Sequence, residues 1–80
     1  MRTTKELLII LRDNLVHYMD RHKCPNMYAV IGELLEDSII NCPEADIIER
    51  YIDLNKPRYN WVPSKIWVRY RWLNKQIEKL

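Results

Sequence analysis

The chain has 80 residues, 48% of them hydrophobic, and a formal net charge of +2. A single domain of this size buries only about 60% of its unfolded surface, so its own core is small. The one glycine argues against hairpins and glycine-rich phosphate loops, and no run approaches the roughly 18 apolar residues of a membrane span.

Apolar spacing reads as helix from end to end. An all-α fold follows, with about four helices in one small domain over residues 1–80, completed by homo-oligomerisation. Thr3, three residues before Glu6, is placed as a capping box for the first helix. Leu7, Leu11, Leu15 and Tyr18 form one stripe, widened by Leu8 and Met19. Ile9, Ile10 and Val16 fall elsewhere around the helix. So broad an apolar circumference fits either a central helix or an oligomer interface. The helix should end near His22, ahead of Cys24-Pro25.

Asn26 is placed to cap a second helix running to about Asn41. Tyr28, Ile31, Leu34, Leu35, Ser38 and Ile39 share one face, and Glu33, Glu36 and Asp37 the other. Gly32 borders the apolar face and costs about 1 kcal/mol relative to alanine. Close packing of another helix is the simplest reason for it. Pro43 suits the first turn of a third helix, and Glu44 and Asp46 suit its positive terminus. Ile47, Ile48, Tyr51 and Ile52 should face inward, with an end near Asn55. Lys56 to Val62 holds a proline, Tyr59 and Trp61 without a period, and reads as an ordered loop. Pro63 and Ser64 open a fourth helix with a core stripe of Ile66, Tyr70, Leu73, Ile77 and Leu80.

Charge is divided unevenly. Residues 56–80 hold seven bases, one acid and all three tryptophans, a net +6, whereas residues 1–55 carry a net −4. On a wheel of about 100° per residue, Lys65, Arg69, Trp72, Gln76 and Lys79 share one flank of the fourth helix, and Trp67, Arg71 and Asn74 the other. Guanidinium groups bind phosphate in bidentate fashion, and indole rings offer stacking faces to bases. The pattern points to a small anionic nucleotide held by Lys65, Arg69 and Trp72, with Arg58, Tyr59, Trp61 and Arg71 in support. The competing structural reading makes the rings core and the cations a solvated face. Glu33, Glu36, Asp37, Glu44, Asp46, Glu49 and Asp53 form either an ordinary acidic surface or the counterpart of another subunit's basic segment.

Catalytic patterns are weak, and no enzyme, catalytic residue or cofactor is expected. His17, His22, Cys24 and Cys42 are the only soft metal ligands, without CxxC or HxxxH spacing, so no metal site is expected. Cys24 and Cys42 flank a helix whose ends, at roughly 1.5 Å per residue, stand about 20 Å apart. A disulfide needs Cα atoms within about 7 Å. Free thiols, and no signal peptide or lipidation motif, fit a cytoplasmic protein.

The ending Trp61-Val62-Pro63 … Arg69 … Trp72-Leu73-Asn74-Lys75-Gln76-Ile77 … Leu80, with the opening Thr4-Lys5-Glu6-Leu7-Leu8, resembles small uncharacterised proteins of bacteriophages. The resemblance covers the two ends. It implies action in the host bacterial cytoplasm against host defences, as in oligomeric sponges that trap cyclic nucleotide or ADP-ribose immune signals. The stretch Val62-Pro63-Ser64-Lys65-Ile66-Trp67 is similar to a short piece of the Hha family of nucleoid-protein modulators. Two other functions compete with nucleotide binding: a protein-interaction module inhibiting a host protein, and weak nucleic-acid binding.

Overall fold

A computed structural model describes residues 2–56 and 66–80. Among these residues lie four α-helices: α1 Thr4–Val16, α2 Met27–Glu36, α3 Cys42–Asn55 and α4 Ile66–Lys79. A π-turn, His17–Arg21, extends α1. No strand occurs among the described residues, and none of their helices is long and apolar enough to cross a membrane.

The expected capping box starts α1. The Glu6 N–H donates to Thr3 Oγ1 at 3.2 Å, and the Thr3 N–H donates to Glu6 Oε1 at 3.0 Å. Leu7, Leu8, Leu11 and Leu15 are fully buried, and Tyr18 and Met19 nearly so. α1 packs against α2, α3 and α4, so its broad apolar circumference is taken up inside the chain. Even Ile9 and Ile10 are partly buried against the core. The Arg12 guanidinium donates to Asn74 Oδ1 at 3.0 Å, tying α1 to α4.

The last turn of this helix widens. The His22 N–H donates to His17 O at 3.3 Å, five residues back, which is the π pattern. Lys23 then takes φ 58°, and the Cys24 N–H returns to Tyr18 O at 3.0 Å. This left-handed stop ends the helix ahead of Pro25.

Asn26 caps α2, its Oδ1 accepting the Ala29 N–H at 2.9 Å. Met27, Val30, Ile31 and Leu34 are the buried residues of α2. The helix ends at Glu36, several residues earlier than expected. Ser38 adopts φ 60°, and the Ile39 N–H bonds back to Leu34 O at 2.9 Å. The reason lies downstream. Asn41 is the N-cap of α3, accepting the Glu44 N–H while Glu44 accepts the Asn41 N–H, both at 3.0 Å. A residue in that reciprocal pair stands outside any preceding helix.

Gly32 is exposed, and a Cβ there would meet nothing within 4 Å. Among the described residues no helix packs closely on it, contrary to the expectation from sequence. Gly32→Ala should therefore raise unfolding stability by about 0.5–1 kcal/mol through backbone entropy. Urea titration followed by circular dichroism measures this, and a loss of stability would contradict the open surroundings.

Several acids of the first 55 residues have partners within the chain. Glu44, only 4% exposed, lies 3.6 Å from the Arg2 guanidinium. Asp46 pairs with Arg50 at 3.2 Å. Asp37 accepts the Tyr18 hydroxyl and Asp53 the Tyr28 hydroxyl. The Asp37 hydrogen bond, aided by burial, pushes the Tyr18 phenol up to about 12. Burial and then the Asp53 bond do the same for Tyr28. A phenol raised in the folded state contributes stability that is complete below the unfolded value of about 10 and is lost as pH rises through 12. The melting temperature should fall across that window, and Tyr18→Phe should flatten part of the fall.

Both cysteines are free thiols, Cys24 buried and Cys42 exposed. Burial raises the Cys24 thiol above its ordinary value. Alkylation of the native protein should therefore add one group, at Cys42, and denaturation should expose the second. Intact mass spectrometry reads both steps, and fast double labelling of folded protein would contradict the packing of Cys24.

Candidate functional site

α4 carries the basic aromatic sequence, and its docking decides which side chains reach solvent. Leu73 is fully buried and Ile77 nearly so. Ile66, Tyr70 and Trp72 are half-buried against the core. Arg69 and Gln76 are also buried, at 4% and 5% exposed. Gln76 can sit there because its Oε1 accepts the Tyr51 hydroxyl of α3 at 2.8 Å; a buried amide without a partner would cost free energy. Leu80, placed on the core stripe by spacing, is 50% exposed. The buried face of α4 is thus turned from the expected stripe towards the Arg69 flank.

That rotation divides the predicted site. Lys65, Arg58, Tyr59 and Trp61 lie outside the described residues. Arg69 faces inward, and burial lowers its pKa from the ordinary arginine value. Trp72 packs against the core. Arg71 is exposed.

The open side of α4 presents a different set. The Trp67 ring is 62% exposed and makes an edge contact with Tyr70, ring centroids 5.6 Å apart. Arg71 Nε donates to the Trp67 carbonyl at 3.3 Å, which keeps the guanidinium one turn along from the indole. Lys75 and Lys79 are exposed at the next two steps of four. Residues four apart are neighbours on a helix surface, so Trp67, Arg71, Lys75 and Lys79 form one ridge. The spacing was visible in the sequence. The wheel joins Trp67 to Arg71 on one flank but sets Lys79 on the Arg69 flank, which splits the ridge.

The ridge can supply a stacking face, a planar phosphate-binding group and two further cations. Elsewhere, Arg2, Asn41, Cys42 and Glu44 line an open depression at the start of α3. There Arg2 and Glu44 satisfy one another. Among the described residues, no group of three or more His, Cys, Asp or Glu side chains could hold a metal ion.

Fold and ridge together define a small all-α domain with one basic, aromatic helix face. No family model matches the chain, and no curated protein or solved structure matches it.

Proposed function

We propose that this chain is a non-enzymatic binding protein for a small anionic nucleotide, with the outward ridge of α4 at the centre of its site. The observation carrying this reading is the exposed Trp67 ring with the Arg71 guanidinium one turn away. Indole stacks on any base, and guanidinium is suited to phosphate oxygens. Lys75 and Lys79 extend the positive field along the helix. Arg58, Tyr59, Trp61 and Lys65 immediately precede α4 in sequence and are the further contacts in this reading. Arg69 and Trp72 support the ridge from its buried side. The role that fits is a sponge for a cyclic nucleotide immune signal, consistent with the resemblance to small phage proteins and action in the bacterial cytoplasm.

A homo-oligomer, most simply a dimer, belongs to the same proposal. Leu54 is 85% exposed, Val68 41% and Leu80 50%, leaving apolar groups for a second copy to cover. Light scattering should give a multiple of the 9.8 kDa chain mass, and a stable monomer at high micromolar concentration would remove this part.

Val68 beside Trp67 also favours a second reading, a protein-interaction module that inhibits a host protein. Calorimetric titration with cyclic dinucleotides, ADP-ribose derivatives and a single-stranded oligonucleotide separates the possibilities. Saturable stoichiometric binding of a nucleotide supports the proposal. Oligonucleotide binding that falls steeply with salt indicates a nucleic-acid surface instead. Binding of none leaves the interaction module.

A further inference from the structure

We propose that His17 and His22 form a bidentate chelate for one borderline divalent transition-metal ion, of the zinc, nickel and copper class. The usual helical chelate is HxxxH, because residues four apart share a face. Residues five apart on a regular α-helix point about 140° away from each other. Here the helix is not regular. The π-turn closes on the bond from the His22 N–H to His17 O at 3.3 Å, and a turn closed five residues back stacks those two positions.

The side chains follow the backbone. The two Nε2 atoms lie 2.9 Å apart, with ring centroids at 4.5 Å, and both residues are exposed. Nitrogens bound about 2.1 Å from one ion stand about 3.0 Å apart at right angles and about 3.4 Å apart at tetrahedral angles. The observed separation is therefore close to that of two cis ligands. In the hydrogen-bonded pair, one Nε2–H donates to the other ring's Nε2 lone pair. Moving that hydrogen to Nδ1 of its own ring leaves a lone pair on each Nε2, and a small rotation of the exposed rings turns both towards one ion. The shift between tautomers changes no proton count, and no other reactant is needed.

Tyr18 positions the rings. It packs edge-on against His17 at 5.0 Å and beside His22 at 5.2 Å. Its own place is fixed by burial to 4% exposure and by the hydrogen bond to Asp37. The two rings thus stand on a buried support, which lowers the ordering cost of holding an ion. Two protein ligands leave the remaining coordination positions to water. Imidazole pairs of this kind suit zinc, nickel and copper better than magnesium or calcium.

Calorimetric titration of the full chain with zinc chloride tests this. One zinc per chain should bind, and His17→Ala and His22→Ala should each weaken binding ten-fold or more. Cys42→Ser should bind as wild type, which separates the histidine site from the exposed thiol. Circular dichroism should show both histidine variants folded, and His17→Gln gives a second version that keeps the bulk of the side chain. No zinc uptake by the wild type would overturn the proposal. So would wild-type binding in either folded histidine variant, or binding abolished by Cys42→Ser.

Discussion

Leu11→Ala should lower the unfolding free energy by about 3–4 kcal/mol, within the span measured for fully buried leucines. Leu11 is fully buried on the helix that contacts each of the other three. The substitution removes methyl groups from the junction and leaves a cavity that these packed helices can close only in part. A domain of 80 residues has about 4–12 kcal/mol in total, so the variant should be close to unfolding at 37 °C. Lys5→Ala is the control. Its side chain is exposed, and its effect should stay within about 0.5 kcal/mol. Urea titrations of the two variants measure the difference. A loss below about 1 kcal/mol at Leu11 would contradict the central place of α1.

The two tryptophans of α4 should behave in opposite ways. Trp72 is packed against the core and Trp67 is 62% exposed. Trp72→Ala should cost about 2–3 kcal/mol, less than a fully buried ring because part of Trp72 already meets water. Trp67→Ala should stay within about 0.5 kcal/mol of wild type. Thermal melts of the two variants decide this. Equal destabilisation would mean that Trp67 is also structural, and the ridge would lose its stacking face.

The contrast shows what a helical wheel can and cannot reveal. Hydrophobic spacing was enough for α1, where Leu7, Leu11, Leu15 and Tyr18 are all buried as expected. It was insufficient for α4, because the buried face there includes Arg69 and Gln76. A polar residue becomes core only through a partner such as Tyr51, which lies 25 residues away. Such pairing is invisible to periodicity.

Local signals differ in how legible they are. The Thr3–Glu6 box stands out by its spacing, whereas the same reciprocal bond between Asn41 and Glu44 is masked by an apolar face that continues in sequence through Ser38 and Ile39. The early end of α2 follows from that cap and from the left-handed Ser38. The packing role that spacing suggests for Gly32 has no support among the described residues, none of which comes within 4 Å of a Cβ placed there. The pairing of His17 with His22 depends on a π-turn, and spacing rules built on 3.6 residues per turn do not anticipate it. For the ligand candidates, the wheel places Arg69 with Trp72 on one flank and Trp67 with Arg71 on the other; burial leaves the second flank, not the first, open to solvent.

The central claim is that the outward ridge of α4 holds an anionic nucleotide. The most direct measurement is the dissociation constant of the tightest-binding cyclic dinucleotide or ADP-ribose derivative for wild type and for Trp67→Ala, taken where both are fully folded. Losing a stacking contact of about 1–3 kcal/mol should weaken binding roughly five-fold or more, with the melting temperature close to wild type. An unchanged dissociation constant in the folded variant would contradict the ridge as the site.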